Sequence, residues 1–382
     1  MIIGIKSDRI LFPEGISAGY VYLSKGKILS AGPNPMPCDQ LLDYTGKYVA
    51  PGFIDLHTHG GEGIAFSECS PEQVIQACDF HMRHGTTALL PTLSAGSMEE
   101  MEQGVIAVAQ AMDSEKSAAT IVGVHMEGPY LSQQQCGAQR PGFITAPIAQ
   151  DYQRMLQRWG KYIARWTYAP ENDPHQTFCS HLTQNGILPS VGHSNARYEE
   201  LFPAVQSGCT LVTHLYSCMS TVTRDHGFRH LGVIETAFLL PEMDVEIIAD
   251  GKHLPPELIR MILQIKGREH VALVTDSLPA AGLAQREGIM SGTPYIVEDG
   301  VAKLSDRSAF AGSIATADLL IRVLVEECGC SISDAVYMMT ATPARILGLQ
   351  KGRLEAGYDG DVVVFDDTIT VETVFTQGIR RI

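Results

Sequence analysis

The chain has 382 residues, 45% of them hydrophobic and 19% charged, which is enough apolar material for one large core and a small second one. Its formal net charge of −15 argues against the broad basic surface that nucleic acid or an anionic membrane would need, so a small-molecule ligand is expected instead. The start, MIIGIKSDRI, has no charged segment leading into a long apolar one, and no window reaches the ~18 apolar residues of a membrane span, so a cytoplasmic protein is expected.

Residues 1–52 read as short strands broken by turns: MIIGIKSDRILF, AGYVYLSKGKILSAGP and KYVAPG carry β-branched residues and turn glycines at short intervals. From residue 53 the texture changes to short apolar runs alternating with helical patterns, the signature of parallel βαβ units. The first helix is predicted over 71–84, with Ser70 as its cap, Pro71 in its first turn and Gly85 as its stop. The apolar runs are FIDLHTH (53–59), TTALLPT (86–92), IVGVHMEG (121–128), RWTYAPE (165–171), ILPSVGHS (187–194), LVTHLYS (211–217), VEIIADG (245–251) and VALVTDS (271–277). Eight such runs are the number that closes a parallel barrel. Residues 351–382, with GRLEAGYDGDVVVFDDTITVETVFTQGIRRI, return to the strand-and-turn texture of the start. The expected architecture is therefore α/β: a (β/α)8 TIM-like barrel over 53–350, with a small β-sandwich domain built from 1–52 and 351–382.

Nine scattered cysteines, an odd number without paired motifs, read as reduced thiols. Cys328 and Cys330, at a helix boundary with no second pair nearby, fit the same reading.

Most of the eight runs turn polar at their C-terminal ends, where such barrels assemble active sites. His57 and His59 close the first run two positions apart, so on a strand both imidazoles face one side. Glu127 ends the third run, His193 the fifth, His214 the sixth and Asp276 the eighth. Imidazole and carboxylate together suit zinc, iron, manganese or cobalt. Singly, each has another reading: His193 or His214 as a hydrogen-bonded core histidine, Glu127 as a helix-capping carboxylate, Asp276 as an N-cap. Six at one edge of eight strands make a metal site the joint expectation. His125 shares the strand face of Glu127 and is read as a buried supporting residue rather than a ligand; His81 and His84 fall on a helix, and His175, His181 and His270 away from strand ends.

In this order, PGFIDLHTHG, HMEGPYL, VGHSNA, THLYS, IADGKH and VTDS resemble the N-acetylglucosamine-6-phosphate deacetylases of the amidohydrolase superfamily. TATPARILGLQKGRLEAGYDGDVVVFD resembles the superfamily's return from the barrel to the small β domain, so the resemblance spans nearly the whole chain. It implies that Glu127, His193 and His214 hold one metal ion. With the His57 and His59 pair retained, it implies a second ion with Glu127 bridging, one or two ions per subunit in all, zinc first. It further implies that Asp276 accepts a proton from water and passes it to the leaving amine, that Gln139 holds or polarises the acetyl group beside Ala138, and that His253 and the loop FAGSIAT, with Ala311 and Gly312, contact the sugar. The implied substrate is an amino-sugar phosphate and the implied assembly a homodimer.

Two features depart from that pattern. Ser217 and Cys218 stand where the family has asparagine and alanine against the phosphorylated sugar, and STVTRDHGFRHLGVIE runs about three residues long, so either Arg224 or Arg229 is the candidate phosphate ligand. The alternatives are a deacetylase for another N-acyl amino sugar such as N-acetylgalactosamine 6-phosphate, a dihydroorotase-like cyclic amidase, or an inactive scaffold. RWTYAPE lacks the fourth-strand lysine that the cyclic amidases carbamylate, and a scaffold is expected to lose ligands that this chain keeps.

Overall fold

In the computed structural model, which describes residues 1–12 and 14–382, eight strands pair side by side and in parallel: β1 (Phe53–Thr58), β2 (Thr86–Leu93), β3 (Val124–Glu127), β4 (Ile163–Tyr168), β5 (Leu188–Val191), β6 (Leu211–Val212), β7 (Asp244–Ile247) and β8 (Val271–Leu273). A two-residue strand, Thr120–Ile121, adds to β2. The ring closes through the backbone just beyond β8, where Asp276 N–H donates to the His57 carbonyl and His59 N–H to that of Ser277, each at 2.9 Å. A strand covered on both faces has no reason to alternate apolar with polar residues, and β2 is accordingly buried along its whole length.

Each strand is followed by a helix: α1 (Pro71–Arg83), α2 (Met98–Ser114), α3 (Ala149–Trp159), α4 (Thr177–Gln184), α5 (Tyr198–Gln206), α6 (Val233–Leu239), α7 (Pro256–Lys266) and α8 (Ala317–Glu326). The first shows why the local sequence suffices. Ser70 accepts from the Gln73 N–H while the Gln73 side chain reaches back to Ser70, and Pro71 occupies a position whose N–H has no helical partner. At the other end Gly85 takes φ +90°, and a Cβ there would lie 2.5 Å from ring carbons of Phe53. The helix ends at Arg83, one residue before the predicted end, with His84 as its cap. No helix among the described residues is long and apolar enough to cross a membrane.

The two chain ends share one sheet. Tyr48–Pro51 pairs with Ile3–Phe12 on one side and with Val362–Phe365 on the other, in a path of seven strands with an eighth, Gln40–Asp43, branching from Ile3–Phe12. The small β domain expected from both chain ends is there, its strands joined in one hydrogen-bonded sheet with Ile5, Val21, Val49, Val362 and Phe375 in one core. Buried Lys351 ties its return strand down through Asp361 (2.7 Å) and Asp359 (2.8 Å). Two insertions were not foreseen by counting strands. A hairpin, Thr223–Asp225 with Phe228–His230, lies between β6 and α6, and a four-stranded antiparallel sheet, Glu287–Gly312, lies between β8 and α8. All nine cysteines are free thiols.

Inside the barrel, Arg165 of β4 and Glu246 of β7 are fully buried and paired through both guanidinium nitrogens, one contact measuring 3.0 Å. The remaining donors reach Ser190 Oγ (2.9 Å), Thr213 Oγ1 (2.6 Å) and the Leu56 carbonyl (3.2 Å), so one side chain bonds four residues in or just past β1, β5, β6 and β7. Replacing Arg165 by methionine leaves the Glu246 carboxylate buried without its partner. The expected cost is about 3–5 kcal/mol, read as a lower urea midpoint. An Arg165→Met/Glu246→Leu double variant is expected to recover most of that loss, and a single variant as stable as the parent would contradict the pairing role.

Candidate active site

The six residues singled out at strand ends meet at the C-terminal mouth of the barrel. His57 lies in β1 and His59 just past it; Glu127 ends β3, and His193, His214 and Asp276 follow β5, β6 and β8. Glu127 Oε1 lies 3.1 Å from His214 Nε2, 3.2 Å from His193 Nε2 and 3.5 Å from His57 Nε2, while its Oε2 lies 3.2 Å from His59 Nε2. Asp276 Oδ1 is 3.2 Å from His59 Nε2 and 3.5 Å from His57 Nε2. The imidazole nitrogens also face each other, Nε2 to Nε2, at 3.2 Å in both the His57–His59 and His193–His214 pairs.

These separations decide what the cluster is built for. Two ring nitrogens at this distance cannot both carry hydrogens, so at most one proton stands between them. Ligands about 2.0–2.1 Å from a tetrahedral metal ion stand roughly 3.3 Å from one another, the spacing found here. His57, Glu127 and His214 form one group able to hold a metal ion, and His57, His59 and Asp276 another. The two oxygens of Glu127 face different histidines.

All six side chains are buried. Burial raises the Glu127 pKa, yet His57, His193, His214 and His59 outweigh it and hold the carboxyl well below its usual range. Burial likewise works against protonating His59, but Asp276 and Glu127 prevail and lift it to about 10. Carboxylates and imidazoles that shift one another this strongly in a cleft are a common feature of functional sites.

The surroundings fix the rings. His193 Nδ1 donates to the Gln135 carbonyl at 2.9 Å, which leaves Nε2 as the ring nitrogen turned toward Glu127. His59 Nδ1 faces Ser94 Oγ at 3.2 Å. His125 packs edge-on against His57, centroids 4.6 Å apart, and bonds Thr92 and Thr167, so it supports the ring from inside the barrel. Three of the six, His193, His214 and Asp276, have left-handed backbones, with φ of 47°, 31° and 47°. A non-glycine residue held there costs of order 1–3 kcal/mol, and three together at strand exits mark a site whose geometry outranks local comfort. The glycines after His59 have a simpler cause: Gly60 has φ +154°, and a Cβ on it would lie 1.9 Å from the Ile64 carbonyl oxygen.

His59, Glu127, His193, His214 and Asp276 floor a solvent-open cleft of about 260 Å³. Ala138 and Gln139 line it, as do Ser217 and Cys218 from the segment after β6; His253, Ala311 and Gly312 complete the wall. The Gln139 amide is already engaged, its Nε2 donating to Glu127 Oε2 at 2.6 Å and its Oε1 accepting from Ala95 N–H at 2.8 Å. It braces the carboxylate, and only its second amide hydrogen remains for an acyl oxygen.

Arg224 and Arg229 are not brought into the cleft. They face each other across the exposed hairpin, with Arg229 donating to the Gly227 carbonyl at 2.9 Å. Nearness in sequence to His214 does not determine which way an inserted hairpin points. Tyr216, Met290 and Phe310 line the cleft and were missed by sequence reasoning. Tyr216 had a signal, its place two residues after His214, whereas Met290 and Phe310 arrive only through the inserted sheet.

A model of the amidohydrolase family matches residues 48–380. The chain is 30% identical over 365 residues to the N-acetylglucosamine-6-phosphate deacetylase of Lysinibacillus sphaericus, covering 95% of this chain and 93% of that one. It is 32% identical over 337 residues to the N-acetylgalactosamine-6-phosphate deacetylase of Shewanella sp. (strain ANA-3), covering 87% and 83%. The crystal structure of N-acetyl-D-glucosamine-6-phosphate deacetylase from Mycobacterium smegmatis superposes with a TM-score of 0.92 at 30% identity, over 100% of both chains. With buried histidines and carboxylates gathered at the strand ends of a parallel barrel, and similarity over nearly its full length, the chain belongs to the amidohydrolase family.

Proposed function

We propose that the protein is a metal-dependent hydrolase that removes the acetyl group from an N-acetylhexosamine 6-phosphate, first of all N-acetyl-D-glucosamine 6-phosphate, giving acetate and D-glucosamine 6-phosphate. The observation that carries this reading is the convergence of Glu127, Asp276, His59, His193 and His214 on the floor of an open cleft, with His57 packed beneath them. Glu127, His193 and His214 would hold one divalent ion and His57 and His59 a second, with Glu127 shared between the two sites; zinc is the first choice, and iron, manganese and cobalt suit the same donors. When bound, such an ion supplies Lewis acidity toward the acetyl carbonyl and toward water.

The chain's own residues do the rest. Asp276 takes a proton from the attacking water as its oxygen bonds the acetyl carbon, then returns a proton to the nitrogen as the C–N bond breaks, so acetate and the free amine leave with atoms balanced. Gln139 keeps Glu127 from turning. His253 and the wall at Ala311 and Gly312 seat the sugar, with Ala138, Ser217 and Cys218 opposite. The same reading includes a cytoplasmic homodimer, in which Arg224 or Arg229 would meet phosphate from an exposed hairpin that a second copy can cover. The Ser217 and Cys218 replacements favour a second reading, the N-acetylgalactosamine epimer, because they change the wall that faces the sugar.

Acetate release from a panel of N-acetylhexosamines, each with and without 6-phosphate, tests the proposal. The highest kcat/KM is expected for a 6-phosphate, with the preferred epimer separating the two readings, and no release from any member would reject both. Asp276→Asn is expected to lower turnover at least ~10²-fold while metal content stays near that of the parent; near-parent activity would remove Asp276 from the proton transfers. Glu127→Gln is expected to strip both ions in an elemental analysis, and a His57→Ala/His59→Ala double variant only one. Unchanged metal content in the double variant would make the His-x-His pair structural.

A further inference from the structure

Asp250 plays no part in the reaction as derived above, yet it is buried beside the cleft and every oxygen contact it makes serves one neighbour or its turn. It follows β7. Its Oδ1 accepts from the backbone N–H of Lys252 (2.9 Å) and of His253 (2.8 Å), which winds the chain into a tight turn through Gly251. Its Oδ2 lies 2.8 Å from His253 Nδ1. The two side chains are 3% and 5% exposed, and the ring of Phe310 stands edgewise against that of His253 with centroids 4.9 Å apart. The imidazole therefore cannot rotate without breaking a charged hydrogen bond and displacing an aromatic neighbour.

An acceptor-only carboxylate at Nδ1 requires a hydrogen on that nitrogen. Nε2 is then the nitrogen left for a ligand in the cleft that His253 lines. Facing a neutral hydroxyl, a ring in this tautomer accepts through Nε2. Facing an anion, it must carry a second hydrogen, and the carboxylate behind it balances the resulting charge. A carboxylate, an imidazolium and an anion in line make charge-assisted hydrogen bonds at both ring nitrogens.

We propose that Asp250 is a positioning residue that sets the orientation and tautomer of His253, so that Nε2 is presented to the cleft as an N–H donor for the anionic group of the substrate. The inference rests on the phosphorylated-sugar reading for the identity of that anion, whereas the hold on the ring stands on geometry alone. Asparagine at 250 keeps an oxygen for the two backbone N–H groups but turns an amide N–H toward Nδ1, which forces the opposite, neutral tautomer.

The test has two arms. In the first, the ratio of kcat/KM for the 6-phosphate sugar to that for its unphosphorylated form is measured in a double-mutant cycle. Asp250→Asn is expected to lower the ratio about 10-fold through KM rather than kcat, the difference between charge-assisted and neutral hydrogen bonds. His253→Ala is expected to lower it as much or more, and Asp250→Asn added to His253→Ala to lower it no further. Additive losses, or a fall in kcat with the ratio unchanged, would overturn the assignment by showing that Asp250 acts on the fold and not through His253. In the second arm, imidazole nitrogen resonances of the full-length protein are recorded with and without inorganic phosphate. His253 is expected to carry hydrogen on Nδ1 throughout and to gain it on Nε2 with phosphate; a ring protonated only on Nε2 would overturn the proposal. This arm reads the parent protein, so it decides even if the asparagine variant does not fold. A parent enzyme with no preference for the 6-phosphate sugar would reject the substrate reading and the anion assigned to His253, and the Nδ1 signal would then judge the positioning role separately.

Discussion

Glu127 is a carboxylate taken almost wholly out of water, and burying such a charge costs several kcal/mol unless it is closely compensated. The compensation here comes from four imidazoles on three different strand ends, arranged so that each carboxylate oxygen has its own partners. Imidazoles packed nitrogen to nitrogen around one carboxylate cannot all be charged, since at most one proton stands between each facing pair. A metal ion resolves both demands, since it needs deprotonated nitrogens and neutralises the carboxylate.

Much of the surrounding structure follows from keeping those rings aimed. Arg165 and Glu246 lie beneath the cluster and tie β4 to β7, with the Glu246 carboxylate 3.7 Å from His57 Nδ1 and accepting from the His214 backbone at 3.4 Å. The left-handed backbones of His193, His214 and Asp276 persist because each is held by further bonds, such as that from Ser132 N–H to the His193 carbonyl at 2.8 Å. Gln139 braces the carboxylate from the cleft side. Rigidity at the floor contrasts with the wall, which is assembled from separate loops and from the inserted sheet.

That contrast explains what was legible in the sequence. The barrel strands announced themselves because parallel strands are buried on both faces and leave continuous apolar runs. The six clustered histidines and carboxylates did so because they end those runs, with His57 and His59 two apart on one face. Helix α1 was legible through Ser70, Pro71 and Gly85, whose effects are local. The cleft wall was less so: Met290 and Phe310 belong to strands whose pairing brings them over the mouth from residues far along the chain, and no local pattern records that approach. The arginines of the 223–230 hairpin lie outside the cleft for the same reason, since direction of projection is a tertiary property. Asp250 went unremarked because an aspartate before a glycine is ordinary turn chemistry, and its grip on His253 shows only once the turn has folded.

The central claim is that Glu127 and the histidines around it form a metal cage rather than a hydrogen-bonded core. Anomalous X-ray scattering at the zinc edge, from crystals of the zinc-loaded protein, addresses it directly. The account expects an anomalous peak within coordination distance of Glu127, His193 and His214, with any second peak beside His57 and His59. Full zinc loading with no peak among these side chains, or with density only at the protein surface, would contradict it.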